Sequence, residues 1–202
     1  MKITVYNNNY METNCYVLET EEVAVVIDPC IDYTLLSNKV KSKLRAVFIT
    51  HGHFDHFISL ESYKEKKLSF YMSEKCYQKL SNSFKNCSSL GYSLLEVDLS
   101  NESVTYVCDG KEIIIEDICI KCLETIGHSN CSMTYLIDDK MFCGDFIFKG
   151  SIGRTDLITG SQENMNKSIK KFKEIDNDYV LYPGHGDVTT LLDEKKNNYY
   201  FR

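Results

Sequence analysis

The sequence contains no long uninterrupted apolar run, and its first residues, MKITVYNNNY, lack the apolar stretch of a secretory signal peptide. A helix that crosses a bilayer needs roughly 20 consecutive apolar residues, and no segment of this chain approaches that length. These absences argue against a membrane-spanning or exported protein. We therefore expect a soluble, cytoplasmic protein without a membrane partner.

Basic residues are in the minority, since 23 lysines and arginines face 29 aspartates and glutamates, for a formal net charge of −6. Nucleic-acid binding draws most of its affinity from lysine and arginine at the phosphates, so the acidic balance argues against a nucleic-acid partner. With 43% hydrophobic residues, a chain of 202 residues can bury one substantial core. We expect a single domain over residues 1–202.

The nine cysteines show no regular spacing, and without a secretory signal we expect mostly reduced thiols buried as small apolar side chains. Cys119 and Cys122 have the two-residue spacing of redox and zinc motifs, but the surrounding residues alternate like a strand. Side chains three positions apart on a strand point to opposite faces. We therefore expect no joint site for this pair.

Short β-type runs alternate with helical segments in two similar halves of the chain. The expected strands are residues 2–6, 14–20, 23–28, 45–50, 68–72, 104–108, 111–115, 118–126, 133–138, 140–145 and 178–182. The expected helices are residues 33–44, 57–66, 73–80 and 161–175. Ser161 is the expected N-cap of the last helix, and the residues after 186 read as a polar tail. This order predicts an α/β protein with two packed sheets and helices outside them, a four-layer αββα sandwich.

Three of the five histidines fall within THGHFDH, residues 50–56, directly after an expected buried strand. In an extended loop His51 and His53 point the same way, and Asp55 and His56 can reach a second position past the turn. Clustered histidines are costly to bury unless they are neutral and hydrogen-bonded or bound to a metal. The run therefore indicates a metal site.

The two remaining histidines and one aspartate extend this pattern. His128 in TIGHS, Asp145 in FCGDF and His185 in YPGHG each follow an expected strand and lie beside a glycine, which allows close approach of the backbone. Every histidine of the chain therefore belongs to one pattern. The seven candidate ligands are His51, His53, Asp55, His56, His128, Asp145 and His185.

This set resembles the metallo-β-lactamase fold superfamily, and in particular its short, single-domain glyoxalase II-like hydrolases, which are related to hydroxyacylglutathione hydrolases. The segments that carry the resemblance are TNCYVLE (13–19), VVIDP (25–29), THGHFDH (50–56), MFCGDFIFKGSIGRTDL (141–157) and YPGHGDVTT (182–190). The resemblance implies one metal on His51, His53 and His128. It implies a second metal on Asp55, His56 and His185, with Asp145 bridging the two ions.

The resemblance also bears on three further residues. Asp28 would support the ligands from behind, or it would be a plain turn residue before Pro29. Ser129-Asn130-Cys131 follows His128 where relatives carry Thr-Pro-Gly, and the Ser129 hydroxyl can still support the turn. Arg154 would contact an anionic substrate or pair with a carboxylate such as Asp156.

Nitrogen and oxygen ligands suit zinc, and iron or manganese are also compatible, so we expect two divalent ions with zinc favoured. Such a pair would hold a bridging hydroxide that attacks a carbonyl carbon, with Asp55 both binding metal and orienting the hydroxide. A thiolate leaves without a strong general acid, and no histidine is spare for that task. We therefore expect hydrolysis of a small acyl substrate, a thioester such as S-lactoylglutathione.

Several alternatives remain open from the sequence. The resemblance also implies a persulfide dioxygenase with a single iron on His51, His128 and Asp145. A lactonase or a metal-binding scaffold without catalysis are further alternatives. The short segment after His185 implies that the C-terminal helical domain of many glyoxalase II enzymes, which binds glutathione, is lacking, so the thiol carrier stays open.

Overall fold

The computed structural model describes residues 1–7, 10–90 and 94–202. Its strands are β1 (Lys2–Tyr6), β2 (Cys15–Glu19), β3 (Val23–Ile27), β4 (Lys43–Phe48), β5 (Ser69–Met72), β6 (Ser103–Tyr106), β7 (Glu112–Ile115), β8 (Ile118–Glu124), β9 (Met133–Ile137), β10 (Lys140–Gly144), β11 (Ile147–Phe148), β12 (Ser151–Ile152), β13 (Val180–Pro183) and β14 (Thr189–Thr190). Its α-helices are α1 (Tyr33–Ser37), α2 (Glu74–Leu80), α3 (Gln162–Lys173) and α4 (Leu191–Asn197). None of the helices in these ranges has the length and apolarity that a bilayer crossing requires.

The first sheet has the strand order β1-β2-β3-β4-β5-β6. Strands β1 to β3 form an antiparallel meander, and β3 to β6 run parallel to their neighbours. Every residue of β3 is buried, as expected for a parallel strand that is covered on both faces.

The second sheet has the order β14-β13-β10-β9-β8-β7. Two hairpins, β7-β8 and β9-β10, are joined to β13, which runs parallel to β10. Because the carboxyl ends of parallel neighbours meet at one edge of a sheet, the chain segments after β10 and β13 lie side by side.

Alternating side chains of β2 separate two hydrophobic cores. Cys15 and Val17 face a core that includes residues of α1 and α2, whereas Tyr16 and Leu18 face the core between the two sheets. A third core joins the outer face of the second sheet to α3, where Phe172 is completely buried. The layers therefore run helices, sheet, sheet, helices, which confirms the expected αββα sandwich.

Several segments differ from the prediction. The helix expected over 33–44 ends at Ser37, because Lys43 already pairs with Val23 in the first sheet. Within residues 57–66 the structure has a short 3-10 helix, Leu60–Tyr63, in place of an α-helix.

The prediction of a polar tail after residue 186 is also wrong. This segment contains α4 and a 3-10 turn, Tyr199–Phe201, and their apolar residues Leu191 and Phe201 pack into the third core.

The N-cap prediction is confirmed, because the Ser161 hydroxyl accepts from the Asn164 backbone N–H. Gly91, in the polar loop after α2, lies outside the described residues.

The cysteines follow the prediction. All nine are free thiols, and seven of them are buried. On β8, Cys119 is exposed and Cys122 is buried, as their opposite faces require.

Candidate metal centre

The candidate ligands lie where strands of both sheets end. His51 and His53 follow β4, Asp55 and His56 belong to a 3-10 turn, Phe54–His56, and the other three residues follow β8, β10 and β13. All are buried or half-buried. Their ligand atoms form three overlapping groups, each with all atoms within 4.8 Å of one another: His51, His53 and His128; His51, His56 and Asp145; Asp55, His56 and His185.

In the three-histidine group, His51, His53 and His128, three ring nitrogens face one another with too few N–H groups between them to form hydrogen bonds throughout. His53 Nδ1 lies 3.1 Å from His51 Nε2 and 2.8 Å from His128 Nε2. His128 Nδ1 donates to the Arg154 carbonyl at 2.8 Å, and His51 Nδ1 lies 3.1 Å from the Thr50 hydroxyl. A neutral imidazole carries one N–H, and in His51 and His128 that N–H is on Nδ1. Their Nε2 atoms are therefore both acceptors, and both face His53 Nδ1, which has at most one proton to donate. A cation fits this arrangement better than a hydrogen bond does.

The second group, Asp55, His56 and His185, combines imidazoles with carboxylates. His56 Nε2 lies 3.4 Å from Asp55 Oδ2 and 3.2 Å from Asp145 Oδ1, and His185 Nε2 lies 3.2 Å from Asp55 Oδ2. His56 Nε2 and Asp145 Oδ1 are buried and make no hydrogen bond. Leaving a buried polar atom unpaired costs about 1–3 kcal/mol, which a metal ion between these atoms would offset.

Asp145 lies between the two groups. Its Oδ2 is 3.4 Å from His128 Nε2 and 3.7 Å from His185 Nε2, while its Oδ1 faces His56. The two oxygens of one carboxylate therefore reach both sets of candidate ligands.

The electrostatics of the two groups differ. Burial, with the neighbouring imidazoles, holds the pKa of His51 and His53 well below its usual range, which keeps them neutral as metal binding requires. Burial also lowers the pKa of His56, but the surrounding carboxylates, Asp55 foremost, outweigh it and raise that pKa well above its usual range. Burial raises the pKa of Asp55, yet the charge of His56 and the hydrogen bond from His185 lower it to about 2.

Asp28 lies directly behind His56. Its Oδ2 is 2.8 Å from His56 Nδ1, and its two oxygens accept from the Thr50 backbone N–H at 2.8 Å and from the Thr50 hydroxyl at 2.7 Å. The backbone of Asp28 has φ of +55°, a left-handed conformation that aspartate tolerates better than most residues. Asp28 therefore does more than form a turn.

Three residues near the N-terminus form hydrogen bonds to Asp55 or to the turn before His185, and none of them was singled out from the sequence. The Thr13 hydroxyl donates to Asp55 Oδ2 at 2.9 Å. Asn14 Nδ2 and Tyr16 Oη both donate to the carbonyl of Pro183, at 3.1 Å and 2.5 Å, and so hold the turn that carries His185. Their segment, TNCYVLE, carries the family resemblance, but no spacing in the sequence links it to the histidines.

A glycine is required beside the second group. A Cβ atom added at Gly184 would lie 2.2 Å from Asp145 Oδ1 and 2.6 Å from His56 Cε1. Any side chain at this position would displace the ligand atoms.

The site opens into a cavity of about 610 Å³. Arg154 lines the cavity, but its guanidinium makes a two-point contact with Asp156 at 2.7 Å and 2.6 Å. Ser129 is completely buried and does not line the cavity; its hydroxyl accepts from Lys79 Nζ at 2.5 Å. Of the two, only Arg154 is placed where a substrate can reach it.

Comparison with known sequences connects this geometry to a family. The profile of the Metallo-beta-lactamase superfamily matches residues 9–67 and 123–185. The chain is 31% identical over 217 residues to the probable metallo-hydrolase M6_Spy0554 of Streptococcus pyogenes serotype M6, with 100% of this chain and 90% of the relative covered. It is 25% identical over 206 residues to the hydroxyacylglutathione hydrolase GloC of Haemophilus influenzae, with 98% and 97% covered.

Solved structures show the same fold. The structure of BLEG-1 B3 metallo-beta-lactamase matches with a TM-score of 0.90 and 27% identity, covering 99% of each chain. The structure of ETHE1 from Myxococcus xanthus matches with a TM-score of 0.77 and 25% identity, covering 98% of this chain and 84% of that one. This chain therefore belongs to the metallo-β-lactamase superfamily.

Proposed function

We propose that this chain is a metal-dependent hydrolase that acts on a small thioester such as S-lactoylglutathione. The observation that carries the proposal is the pair of candidate ligand groups with the Asp145 carboxylate between them. The likeness to a probable metallo-hydrolase and to a hydroxyacylglutathione hydrolase supports the same reaction class.

In this proposal His51, His53 and His128 would hold one ion, Asp55, His56 and His185 would hold a second, and Asp145 would contribute to both sites. The nitrogen and oxygen donors suit zinc and are compatible with iron or manganese. Divalent ions bound there would supply a water of lowered pKa and polarise a carbonyl oxygen.

The chain's own contribution is to hold these groups in place before substrate arrives. The Arg154 carbonyl orients His128, and the Asp28 carboxylate orients His56, so that in each ring Nε2 faces the site. Asp55, held by Thr13 and facing His185, presents a carboxylate that accepts a hydrogen bond from the attacking water. Such preorganisation lowers the cost of aligning nucleophile and carbonyl.

The proton donors that line the cavity indicate which kind of leaving group the site can serve. Apart from the candidate ligands, the titratable residues that line its described part are Cys87 and Arg154. Burial raises the pKa of the Cys87 thiol, and Arg154 is paired with Asp156, so neither is tuned to donate a proton near neutral pH. A thiolate leaves without such a donor, which favours a thioester over an amide or an alkyl ester.

The walls of the cavity suit the body of a small substrate. Cavities of about 300–1,000 Å³ with apolar walls and few polar groups are typical of small-molecule sites. The apolar lining residues are Met11, Phe54, Leu90, Phe148, Ile152 and Leu157.

A second candidate is a persulfide dioxygenase with one iron on His51, His128 and Asp145. The 25% identity to ETHE1 over most of both chains favours it, and an iron with open positions on such a face performs oxygen chemistry. Metal content separates the two candidates, because a dinuclear hydrolase would use the group formed by Asp55, His56 and His185, whereas a single iron site would not.

Metal analysis of protein purified without added metal, combined with two assays, tests the proposal. About two ions per chain with turnover of S-lactoylglutathione is the expected result. One iron per chain, no hydrolysis and oxygen uptake with a persulfide would establish the dioxygenase instead.

A further inference from the structure

A buried lysine lies behind the three-histidine group. Lys79, in the last turn of α2, is 3% exposed. Lysine is almost never fully buried without a charged partner. In the described part of the chain, however, the hydrogen-bond partners of the Lys79 ammonium are two neutral hydroxyls, those of Ser129 and Thr159.

The ammonium joins the two chain segments that hold His128. It donates to Ser129 Oγ at 2.5 Å, and Ser129 is the residue after His128. It also donates to Thr159 Oγ1 at 2.6 Å. Thr159 belongs to the same loop as Arg154, whose carbonyl accepts from His128 Nδ1. One side chain therefore ties the residue next to His128 to the loop that orients its ring.

The stem of Lys79 packs against Gly52, the residue between the other two histidines. A Cβ atom added at Gly52 would lie 2.9 Å from both Cβ and Cδ of Lys79. Gly52 separates His51 from His53, so the methylene chain packs directly against the backbone between them. All three histidines of the group are thus connected through a single side chain.

We propose that Lys79 is a positioning residue that sets the relative placement of His51, His53 and His128 for the first metal ion. The inference rests on the metal site of the proposed function, and it does not depend on which substrate is hydrolysed. The alternative is that Lys79 only stabilises the fold.

The two roles predict opposite effects on stability. A desolvated ammonium that meets neutral hydroxyls costs the folded state free energy, and an apolar side chain of similar length avoids that cost. The comparison is made below a pH of about 6, where the Cys131 thiol beside Ser129 is neutral and supplies no counter-charge to the ammonium. Under that condition Lys79→Met should leave the metal-free protein as stable as the unmodified chain, or more stable. A residue that served the fold alone would lower stability when replaced.

The charge of Lys79 also helps to separate the explanations. A cation near the site repels a divalent ion, so removal of the charge alone would strengthen metal binding. Weaker binding in Lys79→Met would have to come from lost positioning of the histidines.

The experiment compares Lys79→Met with Lys75→Met, a matched control because Lys75 is exposed on the same helix. Zinc affinity is measured by competition with a chromophoric chelator, and unfolding of the metal-free proteins is followed separately. We expect the first zinc to bind about 10- to 100-fold more weakly in Lys79→Met, the range typical when a partner of a metal ligand is lost. The control should bind zinc like the unmodified chain.

Unchanged or tighter zinc binding in Lys79→Met would overturn the proposal, as would a loss of metal-free stability that accompanies the loss of binding. Ser129→Ala provides a second check, because it removes one acceptor and leaves the lysine in place. The double variant Ser129→Ala/Lys79→Met should bind zinc no more weakly than Lys79→Met alone. Additive losses would contradict the proposal that Lys79 acts on His128 through Ser129.

These outcomes remain distinct from those of the proposed function. Tight zinc binding without thioester hydrolysis would reject the proposed substrate and leave the role of Lys79 standing. An unmodified chain that binds no zinc would reject the metal site and this inference together.

Discussion

His56 Nδ1 lies 2.8 Å from Asp28 Oδ2, so a carboxylate behind the ring leaves Nε2 facing Asp55 and Asp145. A carboxylate in this position fixes both the tautomer and the orientation of a metal-binding histidine. Thr50 holds Asp28 in turn through two hydrogen bonds. Thr50 thus fixes the orientation of His56 indirectly, through its hydrogen bonds to Asp28.

Asp28→Asn tests this relationship. We expect the affinity for the second zinc to fall about 10- to 100-fold, because the neutral amide holds the imidazole less firmly. The first zinc should bind almost normally. Stepwise chelator competition measures both affinities, with the exposed Asp139→Asn as control. Equal losses at both sites would show that Asp28 supports the whole loop and not His56 in particular.

Asp55→Ala tests the proposed catalytic residue. Turnover should fall by at least about 100-fold, since the variant loses both a metal ligand and the acceptor that orients the attacking water. Circular dichroism should show the same fold, and Glu61→Ala, at an exposed position nearby, should remain active. A fully active Asp55→Ala enzyme would reject the mechanism.

Gly184→Ala tests the close approach beside Asp145. The added methyl group would overlap Asp145 Oδ1 and the His56 ring, so metal content after purification should fall well below that of the unmodified protein. Gly150→Ala is the matched control: Gly150 has φ of +74° but no atom near its Cβ position. That control should lose about 1 kcal/mol of stability from backbone strain and keep its metal. Normal metal content in Gly184→Ala would show that the ligands can shift without loss.

Cys131 gives a prediction for pH dependence. Burial raises the pKa of this thiol, but hydrogen bonding from Cys76, the charge of Lys79, and hydrogen bonds from Ser129 and the Gly52 backbone lower it to about 6. A thiol whose pKa is lower in the folded than in the unfolded state stabilises the fold above the unfolded value, about 8.5. That contribution is lost as the pH falls through about 6.

The free energy of unfolding of the unmodified chain, minus that of Cys131→Ala, should therefore increase by about 1–3 kcal/mol as the pH rises from about 6 to about 8.5. Denaturant unfolding of the reduced, metal-free proteins measures it. Cys122→Ala is the control, because burial raises the pKa of Cys122 to about 12 and the difference should then be flat over the same range. A flat difference for Cys131→Ala would contradict a buried thiolate.

The candidate ligands could be found from the sequence because each follows a strand and each is a residue type with few other roles at such a position. All five histidines belong to the two groups, so no histidine outside the site had to be distinguished from the ligands. The strands themselves were predicted from local apolar runs, as for β3, where burial on both faces leaves a continuous stretch. The end of α1 could not be predicted, because Lys43 is drawn into the sheet by its pairing with Val23.

Lys79, Thr13 and Asn14 are ordinary residues in the sequence, and nothing in their spacing connects them to a metal site. Their contacts join positions far apart in the chain, such as Asn14 with Pro183 and Lys79 with Thr159. The sequence by itself determined the two sheets, the family and the seven candidate ligands, because these depend on residue type and local periodicity. Only the tertiary structure decided which side chains orient those ligands, because hydrogen bonds between residues 80 or 169 positions apart depend on how the layers pack.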